Sequence, residues 1–373
     1  MGTTEPTFVD SIRGKPGVLV VLVFGALLIA DLIAKLIGIS VGPFGGSLST
    51  TRFGSNLWNG LVIGLVIGLA GIGLSMTYSI LSFANFSHGD LVTTGAFTGW
   101  AIAFVVAAAG DEPLRALLTV RGTGDVSPGD IGAHILATPG AILIGLLAAF
   151  LITALVSLLL DRAFYKPMRN RSGISLLIAS IGVALVVRYL IQFVYGSRPR
   201  GVTAGLDASN IAFAPLGLSV NAHQLTIVVS AVVLMFGLHF VLQSTKLGTA
   251  MRAMADNKDL ALITGIPAER VVTATWLIGG GLAGASGYLY VLLRGTIQFD
   301  FGWLLLLLIF AAVILGGIGS IYGAIAGGLV IGIVFTTSTI WISSDFNEAA
   351  AFAVMILVLL FRPEGIFGGV TTA

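Results

Sequence analysis

The feature that most constrains this chain is a succession of apolar runs, each about 20 residues long and separated by polar breaks. Wound as an α-helix at about 1.5 Å per residue, such a run matches a hydrocarbon layer roughly 30 Å thick. Charged residues make up only 10% of the chain and mean hydropathy is +1.03. A soluble domain carries about 25% charged residues, so no water-exposed globular surface can be built from this composition. The fold class expected is all-α, a polytopic transmembrane helical bundle of about 8–10 membrane segments with both termini cytoplasmic. No linker is long enough to separate a soluble domain, and residues 1–373 are read as one transmembrane domain in a cell membrane.

Ten candidate segments follow from the runs. They are Gly17–Ile39, Asn59–Phe83, a third after Asp90 reaching Ala109, Ala141–Leu160, Ile174–Val194, His223–Leu242, Val271–Leu293, Trp303–Leu315, Ile321–Trp341 and Ala349–Phe361. Trp303–Leu315 is too short to cross alone. Gly17–Ile39 is longer than a signal-peptide core and carries Asp31 and Lys35 four residues apart on one face, so a retained span is expected despite the small residues Gly38 and Ser40. Val41–Trp58 is expected outside. Residues 110–139, holding Asp111, Glu112, Asp125 and Asp130, form the longest polar insertion, expected on the external side.

Lys and Arg distribution sets the orientation. With Arg13 and Lys15 inside, the loops Asp161–Gly173 and Gln243–Arg270 and the tail also fall inside, giving eleven basic residues there against six outside. The formal net charge of +2 reflects this cytoplasmic bias and gives no reason to expect a nucleic-acid partner. Cysteine is absent, which removes disulfides, thiolate metal sites and thiol nucleophiles.

Four features are candidates for function. Glycines recur every four residues at Gly60, Gly64 and Gly68, and again at Gly319, Gly323 and Gly327 with Gly328 and Gly332 offset; Gly280, Gly284 and Gly287 form a third set. Such faces let helices pack closely, and the same faces would suit a translocation path. The hexapeptide Asn85-Phe86-Ser87-His88-Gly89-Asp90 interrupts about fifty apolar residues. It is either a cytoplasmic turn or a discontinuous helix inside the fold, where Asn85, Ser87, His88 and Gly89 would face a path. Arg188 lies mid-span and needs a partner such as Asp31 or Asp90, or water. The inner loop at residues 243–270 reads as two short helices, the second capped by Asp256 or Asn257, closed by Gly265 and stopped by Pro267. Met251, Met254, Leu260 and Ile263 give it an apolar ridge, suited to a docking protein or to the bilayer surface.

No phosphate-binding G-x-x-x-x-G-K-[ST] loop, zinc signature or serine nucleophile elbow is present, so no catalytic or metal-ligating residue is assigned. Ser87 and His88 are adjacent, and adjacent helical residues do not face each other.

Four stretches in order resemble one family. They are ANFSHGDLVTTGAF, YKPMRNRSGISLLIASIGVALVVR, RAMADNKDLALITGI and AAVILGGIGSIYGAIAGGLVIGI, within about Asn59–Gly365. The chain is similar to permeases of branched-chain amino acid ABC importers. That resemblance implies a plasma-membrane subunit embedded in lipid. It would be paired with a second related permease, driven by cytoplasmic ABC ATPase subunits and supplied by an extracytoplasmic substrate-binding protein. ATP would be used by the partners, with no cofactor bound by this chain. Arg252, Asp256, Ala261 and Gly265 would belong to the ATPase-coupling loop. The N-terminal extension and the 110–139 insertion depart from the pattern. The competing expectations are an ion-gradient-driven secondary transporter for a small polar solute, with Asp31 or Asp90 as coupling carboxylate, and a non-transporting scaffold.

Overall fold

The computed structural model describes residues 16–42, 44–110, 113–121, 126–203, 210–213 and 218–367. Arg13, Lys15, Asp111, Glu112 and Asp125 lie outside these. Twelve helices organise the bundle: α1 (Pro16–Ile37), α2 (Thr50–Leu81), α3 (His88–Ala107), α4 (Pro139–Leu160), α5 (Gly173–Tyr195), α6 (Ala222–Ser244), α7 (Lys246–Asp256), α8 (Lys258–Ile263), α9 (Ala268–Arg294), α10 (Phe301–Gly316), α11 (Ile321–Thr337) and α12 (Asn347–Phe361). Two short helices, Pro113–Val120 and Pro128–Ile131, fold the insertion onto the bundle. Among the described residues, eight helices are long and apolar enough to cross a membrane, and α10 is a shorter apolar one.

Several boundaries move outward from the apolar runs. The helix of the second run starts at Thr50, because Ser49 accepts a hydrogen bond from the Arg52 amide and no breaker follows, so part of the expected external stretch Val41–Trp58 is helical. Helix α4 continues past Leu160 through a π-turn, Asp161–Tyr165, and on to Met168. Buried Asp161 holds this extension by a salt bridge to Arg169 at 2.6 Å.

The centre is α2, α3 and α9, clad by α4, α10 and α11. Glycine sets the close approach. A Cβ on Gly64 would come within 2.8 Å of the Leu329 Cα, and one on Gly328 within 2.6 Å of the Gly68 Cα. The first glycine set therefore seats α2 against the second set on α11, and Gly284 and Gly287 seat α9 against α4 and α3. These faces are filled by neighbouring backbone. The outer helices invert the soluble pattern: Leu143, Leu147, Leu151 and Leu155 of α4 and Val229, Val233, Phe236 and Phe240 of α6 are exposed stripes at helical spacing, suited to lipid.

The two groups of loops separated by basic-residue counting lie at opposite ends. At one end Glu269 pairs with Arg169 at 2.5 Å and Lys166 at 2.9 Å, Ser79 Oγ donates to the Gly319 carbonyl at 3.1 Å, and Ile366 N donates to the Leu315 carbonyl at 2.9 Å. At the other, Arg200–Gly201 pairs with Thr296–Ile297, Asn221 joins the hairpin Asn210–Phe213/Leu218–Asn221, and Asn56 meets Thr339. The end nearest Arg200 also carries the insertion: Arg200 donates to the Thr119 and Val120 carbonyls at 2.7 Å each. In that insertion Asp130 caps its own helix, and hydrogen bonds from Ser127 hold its carboxyl below the usual carboxylate range.

Candidate functional site

Helix α2 ends at Ser82, whose φ of 56° turns the chain back on itself. The next residues re-enter the bundle. Phe83 packs on Tyr165 with ring centroids 5.4 Å apart, and Phe86 N donates to Ser180 Oγ at 3.0 Å. His88 Nε2 lies 2.9 Å from the carbonyl of Ala70, three helical turns up from the end of α2. Asn85, Ser87, His88 and Asp90 are all buried. Depth follows from α5: Ser180 stands about 10 Å and Arg188 about 22 Å along it from Gly173. The hexapeptide is therefore a connection between two helices, as in the turn reading, but one buried inside the bundle rather than exposed at its surface.

Asn85 Oδ1 is the hub. It accepts from the Ser87 amide at 3.1 Å, the Ser87 hydroxyl at 2.7 Å and the Tyr165 hydroxyl at 3.3 Å. Ser87 Oγ and Tyr165 Oη lie 2.7 Å apart. Tyr165 stacks on Trp276 at 4.9 Å, and the Trp276 carbonyl accepts from Ser157 at 2.6 Å. Two buried donors, Asn85 Nδ2 and Trp276 Nε1, have no partner among the described residues.

Arg188 finds Asp90 rather than Asp31. Its Nε and Nη2 donate to the two carboxylate oxygens at 3.1 Å each, and the guanidinium sits 4.9 Å from the centre of the Trp303 ring. Asp31 is engaged elsewhere: Lys35 at 2.5 Å, the Gly45 amide at 2.6 Å and Trp341 Nε1 at 2.7 Å all converge on it. Gly89 lies against Gly302, where a Cβ would come within 2.6 Å of the Gly302 carbonyl. Asn85, Ser87, His88 and Gly89 thus lie in one buried segment, and part-buried Arg188 reaches its end through Asp90. Sequence reasoning missed Tyr165, Ser180 and Trp303. Ser180 shares the i, i+4, i+8 ridge of Arg188, a signal that was available; Tyr165 was hidden in a segment read as a loop.

Arg252, Asp256, Ala261 and Gly265 lie apart from this group, on α7, α8 and the turn after them. Thr245 caps α7, and Asn257 caps α8 by accepting from the Leu260 amide at 3.0 Å. Gly265 takes a φ of 85°. Arg252 donates to Gln243 Oε1 at 2.8 Å, Asp256 is exposed and Ala261 is buried. The expected apolar ridge needs correction: Met251 and Met254 turn inward and are buried, because α7 lies on the bundle. Leu260, Leu262 and Ile263 of α8 remain exposed. No group of three or more His, Asp or Glu side chains is placed to hold a metal among the described residues.

A family model described as the permease component of branched-chain amino acid transport systems matches residues 56–359. The chain belongs to this family. As a permease with eight long apolar helices among the described residues, it is a multi-pass plasma-membrane transport subunit and not an enzyme. This permease is 29% identical over 318 residues to the high-affinity branched-chain amino acid transport system permease protein LivH of Escherichia coli, covering 85% of this chain and 96% of that one. It is 30% identical over 315 residues to BraD of Pseudomonas aeruginosa, of the same description, covering 84% and 94%. A probable branched-chain amino acid permease, LivH of Methanocaldococcus jannaschii, is 29% identical over 317 residues, covering 80% and 88%. No solved structure matches the chain.

Proposed function

We propose that this permease carries branched-chain or closely related amino acids inward through a path that includes the Asn85–Gly89 break and Arg188, driven by ATP hydrolysed on separate subunits. The observation that carries the reading is the family match across residues 56–359, which spans the break and the α7–α8 segment alike. The buried polar break supports it: Asn85, Ser87, His88 and Asp90 lie at depth among the spans, where polar and ionisable side chains mark substrate paths. In this account residues 1–373 form a single permease domain, 110–139 an external insertion and 243–270 a cytoplasmic coupling loop, with both termini inside. The ATPase docks on α7–α8 through exposed Leu260, Leu262 and Ile263, with Arg252, Asp256, Ala261 and Gly265 holding that segment in shape. The second permease pairs beside it, and an external binding protein delivers cargo at the Arg200 end.

The gradient-driven alternative has less support, since its two candidate carboxylates, Asp31 and Asp90, are both committed to ion pairs. Isolation from the native membrane in mild detergent, with partners identified by mass, tests the reading. A P-loop ATPase at equal stoichiometry is expected. Recovery of the chain alone, in a preparation that keeps other transporter complexes intact, overturns it.

A further inference from the structure

A second feature lies on the far side of α10 from the break. The outer ends of α9, α10 and α12 border an open cavity of about 260 Å³, with Arg294, Leu304 and Glu348 exposed at its rim, close to the lower end of the roughly 300–1,000 Å³ range of small-molecule sites. Charges of both signs line it: Arg294 at the last turn of α9, Asp300 at the start of α10 and Glu348 in the first turn of α12. None of the three is in an ion pair with another described residue. Tyr290 stands in the wall, its ring stacked on Phe301 at 5.4 Å with planes 7° apart. Leu304, Leu308 and Phe335 supply the apolar side.

We propose that this cavity is an outer binding site for a zwitterionic amino acid with an apolar side chain. The proposal rests on the reading of the chain as an amino-acid permease. A free guanidinium presents a fork to the α-carboxylate. Glu348 accepts from the ammonium, and the leucine and phenylalanine wall takes the side chain. A cavity walled by opposite, mutually unpaired charges suits a ligand that itself carries both. Its position adds the second argument. Leu304 and Leu308 of α10 face the cavity, while Trp303 and Phe310 of the same helix pack on Phe86 at 6.1 Å and 5.1 Å. Helix α10, only 16 residues long, is therefore the partition between the outer cavity and the polar break. Cargo seated in the cavity needs only a shift of α10 to meet Gly89 and the residues beside it.

The test is direct binding of radiolabelled L-leucine to the full chain in lipid nanodiscs. Saturable binding is expected, with leucinamide and N-acetyl-leucine, each lacking one charge, competing at least tenfold more weakly. Arg294→Gln and Glu348→Gln should each weaken binding tenfold or more, Arg294→Lys less, and Leu304→Trp, which fills the cavity from an exposed position, should abolish it. No saturable binding by the folded wild type at millimolar leucine overturns the proposal, as does binding unmoved by Arg294→Gln and Leu304→Trp. Loss of delivery by the binding protein with leucine binding unchanged makes the cavity a protein-docking surface and also overturns it. Uptake by the complete complex separates the two levels. A wild-type complex that moves no amino acid defeats the permease reading itself, whereas normal uptake with an unaffected Arg294→Gln variant defeats only the site.

Discussion

Arg188→Gln is the sharpest probe of how the break is held. In the native protein Asp90 is fully buried and its two oxygens are both occupied by Arg188, which is 13% exposed. Removing the guanidinium leaves a buried carboxylate without its cation, and breaking a buried pair in this way costs about 3–5 kcal/mol. Asp90→Asn is milder. The amide oxygen still accepts one hydrogen bond, and the guanidinium keeps the Trp303 face, an interaction of about 0.5–2 kcal/mol. That variant should lose about 1–3 kcal/mol. The double variant, with two neutral amides able to bond each other, should recover most of the loss of Arg188→Gln, giving a coupling of about 2 kcal/mol or more. Thermal midpoints followed by fluorescence-detected size exclusion in detergent read the order: wild type, then Asp90→Asn, with Arg188→Gln lowest and the double variant well above it. A double variant no more stable than Arg188→Gln, or an Arg188→Gln protein as stable as wild type, would refute the reasoning.

Glycine substitutions should split sharply. A Cβ on Gly95 would overlap the Gly284 Cα, so Gly95→Ala should cost at least about 1–3 kcal/mol and lower the yield of monodisperse protein. Gly237→Ala, with nothing within 4 Å, should be neutral or stabilise by up to about 1 kcal/mol in the same assay. Tyr165→Phe removes the hydroxyl that meets Ser87 and Asn85 and should lower stability by about 1–3 kcal/mol and slow uptake; unchanged uptake and melting would deny Tyr165 a part in the break. Ile263→Asp, on a side chain 84% exposed, should leave the fold intact while reducing ATPase co-purification and ATP-dependent uptake by tenfold or more. Full coupling in that variant would exclude α8 as the docking surface.

Much of the fold was legible because lipid imposes a length. Each long apolar run became a helix, and the short run at Trp303–Leu315 became the short helix α10. The sorting of loops to two ends was legible for the same reason, since Lys and Arg are costly at depth. The break was only half legible. Its polarity stood out, but a surface turn and a re-entrant segment share a composition. What separates them is contact with Ala70, Tyr165, Ser180 and Arg188, residues up to 98 positions away. Met251 and Met254 misled for a related reason: an amphipathic helix shows which face is apolar and not what covers it.

The absence of cysteine makes the central claim open to a single clean measurement. Ser87→Cys places one thiol in the buried break of an otherwise cysteine-free chain. The complete complex in vesicles is then exposed to a small membrane-impermeant thiol reagent through cycles of ATP and cargo. If the break lines the path, the thiol should react during turnover and be protected when turnover is halted. A thiol that stays unreactive in every state, in vesicles whose uptake is normal and whose Thr339→Cys control is labelled, would contradict the account.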